Sequence, residues 1–294
     1  TEGAVATATR FDGRLVGDGD FTKSGKDTLT LTGVNAYGGA TKVVSGELVL
    51  ERGVKPVPVP FARWTFDDAN NPGKESTGRG MDLALSGSAR LATDVPFAKD
   101  GKALLISGAV GSATFDPTKH SGFPAGFPTG TASFSVACRF RQSSNDGSFG
   151  CFVGWGDQLT VQKFFMLEKQ GNPRKLVVNW NTLNNWQQAM HADEPMDCVP
   201  QPYGAEWVHA VVTVDRTAGV ARLYTDGRLV ATSEAVGDLD IDPAGVFSIG
   251  LRTNRPKLAL EAYIDDVQVF DRALNAYEVK SLVRAFGTGT VGPV

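Results

Sequence analysis

Residues that carry chemistry are scarce in this chain. Its 294 residues include three cysteines and three histidines. No spacing among Cys138, Cys151 and Cys198 matches a zinc site. His120, His191 and His209 lack any nucleophile-elbow context, so Ser/His/Asp catalysis finds no support. No apolar run reaches the roughly eighteen residues that a membrane-spanning helix needs. An excess of one charge is missing too. With 29 basic against 32 acidic residues, nothing steers the chain toward nucleic acid or anionic membranes. Long helix-forming runs are absent. No secretory leader is visible, but the abrupt start at Thr1 is that of a matured or trimmed chain, so this absence says little about compartment.

Glycine and proline are plentiful, at 34 and 15, which favours many short strands joined by tight turns. Composition separates the regions. Residues 1–53 are rich in Gly, Thr and Val, and within them 26–50 read as two apolar alternations around a Gly-rich turn, too little to be stable as an isolated hairpin. Residues 54–60, "VKPVPVP", form a stiff Pro-rich linker. Residues 61–286 read as one continuous β domain, and 287–294 as a tail. Cys138 and Cys151, separated by the turn-like "SSNDG", are set as cross-strand neighbours, either two buried thiols or a disulfide. Asp226-Gly227 predicts a hairpin turn with positive φ. The one helix is "NAYEVKSLVRAFG", capped by Asn275 with Glu278 three positions on, apolar at Val279, Leu282, Val283 and Phe286, and ended by Gly287. About eleven strands without βαβ alternation predict an all-β antiparallel sandwich with a short C-terminal helix.

The stretch "LVGDGDFTKSGKDTLTLTGVNAYGGATKVVSGELVL" resembles the autotransporter-associated β-strand repeat. That resemblance implies one rung of a β-solenoid, a stacking unit rather than a site, in a longer protein that is secreted or on a bacterial cell surface. From Phe61 the chain resembles the laminin-G-like branch of the concanavalin-A-like jelly rolls. The carrying segments are "RWTFDDANNPGKESTGRGMDLALSGSARL", "SFSVACRFR", "WVHAVVTVDRTAGVARLYTDGRLVATS", "IGLRTN" and "AYIDDVQVFDRALNAYEVKSLV". This fold serves lectins, adhesion modules and hydrolases alike.

A glycan hydrolase needs two carboxylates flanking the bond. The nearest pair, Glu261 and Asp265, has Tyr263 between its members and lies on the ordinary closing strand, so a non-enzyme is expected. The resemblance also implies one structural Ca²⁺, held by Asp67 or Asp68, a carbonyl of loop 70–80, and Asp265 or Asp266, although Lys74 and Glu75 depart from the family's loop. For ligand binding, "KLVVNWNTLNNWQQAMHAD" reads as a loop in which Trp180 and Trp186 flank Asn181, Asn184 and Asn185. Aromatic faces stack on sugars, and amides pair with hydroxyls. Arg139 and Arg141 alternate on one strand face, opposite to Cys138 and Phe140, and with Arg252 they form a candidate fork for an acidic glycan. The expectation is a non-catalytic, lectin-like glycan-binding or adhesion module. A structural spacer or protein–protein module is the alternative, and a glycoside hydrolase the third.

Overall fold

The computed structural model describes the chain except residues 1–8, 12–14, 18, 32–35, 38, 51–56, 94, 96–100, 108–110, 143–149, 160, 162, 171–174, 183–184, 192–206, 235, 238, 252–259 and 288–294. The side chains of 16, 17, 36, 37, 170, 175, 181, 182, 185–191 and 284–287 also lie outside the description. The chain divides into two compact units, Thr1–Val57 and Pro58–Val294.

The first unit holds seven short strands: β1 (Thr9–Phe11), β2 (Val16–Gly17), β3 (Phe21–Lys23), β4 (Thr28–Leu31), β5 (Ala36–Tyr37), β6 (Thr41–Val43) and β7 (Glu47–Leu50). Every pairing among them is parallel: β1-β4-β7, β2-β5 and β3-β6. The alternating segments of residues 26–50 are therefore not a hairpin. They lie side by side, one winding apart, with Thr28 beside Glu47 and Leu31 beside Leu50. The expected single rung is also corrected, because Phe21 pairs with Thr41 and Thr9 with Leu29, so this stretch winds through more than one turn. Lys23 ties consecutive turns together. Its Nζ, on a side chain only 7% exposed, donates to the carbonyls of Ser24, Gly25 and Ser45 at 3.0, 2.9 and 3.2 Å. All three ammonium donors are thus used. Gly46 sits under this bridge at φ +74°, where a Cβ would fall 2.3 Å from the Gly25 carbonyl oxygen. No other residue fits there.

The second unit begins with β8 (Ala62–Trp64), β9 (Ala84–Ser86), β10 (Arg90–Ala92), β11 (Ala103–Ile106) and β12 (Ser112–Phe115). The long strands follow: β13 (Phe134–Gln142), β14 (Gly150–Asp157), β15 (Lys163–Gln170), β16 (Lys175–Thr182), β17 (Asn185–His191) and β18 (Val208–Asp215). β19 (Val220–Thr225), β20 (Arg228–Ser233), β21 (Phe247–Ile249), β22 (Ala262–Phe270) and the helix α1 (Ala276–Gly287) complete it. One sheet runs β10-β11-β22-β13-β18-β19-β20, with β8 also on β22, and the other runs β17-β16-β15-β14-β21-β12-β9. All their pairings are antiparallel, so the unit is a β-sandwich.

Alternation decides what faces inward. Phe134, Val136, Cys138 and Phe140 of β13 and Val208, Ala210, Val212 and Val214 of β18 meet Phe165 and Leu167 of β15 in one core. Aromatic rings fill its middle. Phe134 packs edge-on to Trp155 at 4.9 Å, Trp64 stacks on Phe247 at 4.7 Å, and Phe140 stacks on Phe152 at 3.9 Å. Two of the buried indoles keep their hydrogen bonds: Trp64 Nε1 donates to Met81 O and Trp155 Nε1 to Pro128 O. On the far face of the first sheet, α1 lays Val279 and Leu282 over Ala137, Val211, Tyr224 and Phe270. Its start is the expected capping box, with Asn275 Oδ1 accepting the N–H groups of Tyr277 and Glu278 while Glu278 Oε2 accepts that of Asn275.

The cysteines are buried thiols, one of the two expected alternatives, but they are not cross-strand neighbours. β13 and β14 are consecutive in the chain but belong to different sheets, so Cys138 lies in the sandwich core while Cys151 packs in a separate cluster with Phe164 and Met166. Both are free thiols. Burial, helped by the charge of Asp266, pushes Cys138 up to about 12, so it is an inert apolar filler.

Candidate ligand-binding site

The geometry at the start of the sandwich follows from one buried carboxylate. Phe66, only 2% exposed, adopts a left-handed φ of +57° and turns the chain into the loop that carries Glu75. Glu75 Oε1 accepts the backbone N–H groups of Arg63 at 3.1 Å and Thr77 at 2.6 Å, and Oε2 accepts that of Arg79 at 2.6 Å. Ser76 N donates to Arg63 O and Thr77 Oγ1 to Phe61 O, so the loop is laced onto β8. Arg79 then lies over the Phe61 ring, 4.4 Å from its centroid.

The four aspartates expected at a calcium site are held by protein donors. Asp67 Oδ1 accepts the N–H of Lys102. Asp68 Oδ1 accepts those of Asn70 and Asn71 while its Oδ2 takes Lys74 Nζ, and these partners, Asn70 first, hold its carboxyl below the ordinary range. Asp265 Oδ1 accepts the N–H of Asp266. Asp266 sits at a bulge with φ +47° and faces a cation already: Arg63 Nε donates to Oδ1 at 2.7 Å and Gln268 Nε2 to Oδ2 at 2.8 Å. Burial nevertheless raises the Asp266 pKa, against the pull of Arg63. Among the described residues no three of Asp, Glu, His or Cys stand together as metal ligands. Calcium takes six to eight oxygens, and each of these four carboxylates already accepts a backbone N–H or a cationic donor.

The ligand-binding expectations are partly corrected. Trp180 is 1% exposed and belongs to the sandwich core, so its ring presents no face to a sugar. The Asn-rich run is not a loop but the β16–β17 hairpin, in which cross-strand hydrogen bonding overrides the weak strand preference of asparagine. On it Trp186 stands opposite Asn181, and Asn185 opposite Thr182. The side chains of Asn181, Asn185 and Trp186, together with Asn184 and Arg252, lie outside the described residues. Cys138 and Phe140 do face the core, but Arg139 is only 5% exposed, opposite His209 on one side and Asp265 on the other, and does not line an open surface. Arg141 rests over the Tyr263 ring at 4.8 Å, and Trp207 approaches the same ring.

Of the acidic pair, Glu261 precedes β22 and is partly exposed, whereas Asp265 is buried. Sequence reasoning missed one further polar feature. Glu168 and Asn179, each 1% exposed, are hydrogen-bonded across β15 and β16. The signal was a lone Glu at mid-strand in "KFFMLEKQ". His209 is fully buried, and neither ring nitrogen has a hydrogen-bond partner among the described residues. Desolvation, then the positive charge of Arg139, lowers its pKa to about 3.

Two packed antiparallel sheets with a helix on one outer face define a jelly-roll β-sandwich. The family model described as the concanavalin A-like lectin/glucanases superfamily matches residues 115–280. The chain belongs to that superfamily. The passenger-associated-transport-repeat matches residues 21–50. No curated protein matches the sequence. Among solved structures, domain 4 of an extracellular arabinanase from Geobacillus stearothermophilus, in complex with arabinotriose, is similar at 17% identity and a TM-score of 0.54, over 76% of this chain and 98% of that one. The receptor-binding domain of botulinum neurotoxin D is similar at 11% identity and TM-score 0.56, over 77% of this chain and 52% of that one. The binding domain of Paraclostridial Mosquitocidal Protein 1 gives 16% and 0.55, over 72% of this chain and 49% of that one. The chain thus spans about half the length of both toxin chains, and at these identities the likeness is one of fold.

Proposed function

We propose that this chain is a non-catalytic, lectin-like module that binds glycan and holds a larger secreted or cell-surface bacterial protein near its target. The observation that carries this reading is the ladder at the end of the second sheet, where edge strand β17 sets Trp186 directly opposite Asn181 and Asn185 opposite Thr182. Directly opposed residues have Cβ atoms about 5 Å apart. An indole and an amide therefore come from directly opposed positions, which is the combination that stacks on sugar C–H faces and pairs with hydroxyls. The arabinanase domain with its bound arabinotriose and the toxin receptor-binding domain support binding as the use of this fold. The passenger-associated repeat supports a surface or secreted location. Catalysis has weak support, because Asp265 is buried and fixed by the Asp266 N–H.

A broad glycan-array screen is the test. Binding that weakens at least about tenfold in Trp186→Ala, with an unchanged thermal melt, is the expected result. Failure of folded protein to bind any neutral or acidic glycan would transfer the function to a structural spacer. We also propose that the loop is ordered by Glu75 and Arg63 rather than by calcium. Thermal melts with calcium and with chelator should then coincide, and a rise of several degrees with calcium would contradict this.

A further inference from the structure

A concavity lies between the β19–β20 turn and α1. Asp226 and Gly227 make that turn, both left-handed at φ +49° and +78°. A Cβ on Gly227 would stand 3.4 Å from Lys280 Cγ and from Val283 Cγ2, so turn and helix are in van der Waals reach at one end. Beyond that contact they part to leave a cleft of about 660 Å³, within the usual range for ligand sites. Its aliphatic wall comes from Leu229, Ala276 and Val283, with Leu229 48% exposed. Two exposed cations, Arg228 and Lys280, stand among these groups. The one acid in the lining, Asp226, has Oδ1 engaged by the His209 backbone N–H at 3.0 Å. Tyr224, the one aromatic residue there, is 3% exposed and packed under α1, so no open ring awaits a sugar.

An aliphatic wall flanked by two cations, without an exposed aromatic face or an amide, is complementary to an apolar side chain carried next to a carboxylate. From this we infer that the cleft docks an acidic peptide, a segment in which Leu, Ile or Val is adjacent to Glu or Asp. The aliphatic side chain takes the wall between Leu229 and Val283, and the carboxylate meets Lys280. This site shares no residue with the β16–β17 hairpin and does not depend on glycan binding.

The probes are two end-blocked dodecapeptides of equal hydropathy, one alternating Leu with Glu and one alternating Leu with Lys, titrated into the ¹⁵N-labelled full chain. The Leu/Glu peptide should give saturable shifts centred on Gly227, Leu229 and Lys280, and the Leu/Lys peptide should not. Lys280→Glu should weaken binding by about tenfold or more, whereas Trp186→Ala should leave it unchanged. Because Lys280 is exposed, an unchanged melt will show that the variant is folded. Equal binding of both peptides, equal binding by Lys280→Glu, or no saturable shift overturns the inference. Saturation of the same amides by a uronate oligosaccharide but not by the Leu/Glu peptide would give the cleft to a saccharide and overturn it as well.

Discussion

Lowering the pH from about 6.5 toward 3 should remove stability from the sandwich, at up to about 1.4 kcal/mol per pH unit from His209 alone. Above 6.5 the imidazole is neutral in both folded and unfolded chains, and its contribution is fully present. Below 6.5 the unfolded chain takes up a proton that the folded chain, with its pKa lowered to about 3, refuses. Folding therefore costs progressively more as pH falls through this window, roughly 5 kcal/mol in the limit. The cause is desolvation first, since the ring is fully buried, and then the Arg139 guanidinium opposite it in the ladder. Asp266 acts the other way. Its raised folded pKa favours the folded chain as pH falls toward its ordinary value of 3.8 and softens the acid limb. Urea unfolding at pH 7, 6.5, 6, 5.5 and 5 covers the upper part of this window, where ordinary carboxylates stay ionised, and comparison with His209→Leu separates the histidine from Asp266. His209→Leu removes the titration and should flatten the profile. Parallel profiles for the two proteins would sink the assignment.

Glu75→Ala should cost about 3–5 kcal/mol, because it strands three backbone donors that one buried carboxylate satisfies together. Glu75→Gln keeps one acceptor oxygen and the side-chain volume, and should cost about 1–2 kcal/mol. Loss of the carboxylate frees the loop from β8 and with it the cover that Arg79 lays over Phe61. Denaturant midpoints measure the size of the effect. Amide exchange at Thr77 and Arg79 measures its place, and should speed up in Glu75→Ala before global unfolding does. If both variants melt like the parent, the carboxylate is not what holds the loop.

The strands with strong alternation, such as "ASFSVACRFR" and "EWVHAVVTVD", were legible because their inward residues are apolar without exception. β9, β10 and β17 were not, since short or amide-rich strands draw their stability from ladder partners far away in sequence. The same limit applied to the candidate site. Trp180 ends the apolar run "KLVVNW", a local hint of burial, but the position of β16 is what puts its ring into the core. Arg139 and Arg141 share a strand, yet one is buried beside His209 and the other rests on Tyr263.

By itself the sequence determined the class of fold, the hairpin turn at Asp226-Gly227 and the Asn275–Glu278 cap. Each of these depends on φ preference, side-chain alternation or spacing, which are local properties of the chain. Only the tertiary structure decided that residues 26–50 lie in parallel one winding apart, that Cys138 and Cys151 belong to different sheets, and that Asp266 faces Arg63. Pairing partners and burial are set by contacts between residues distant in sequence, and no local preference encodes which distant residue arrives.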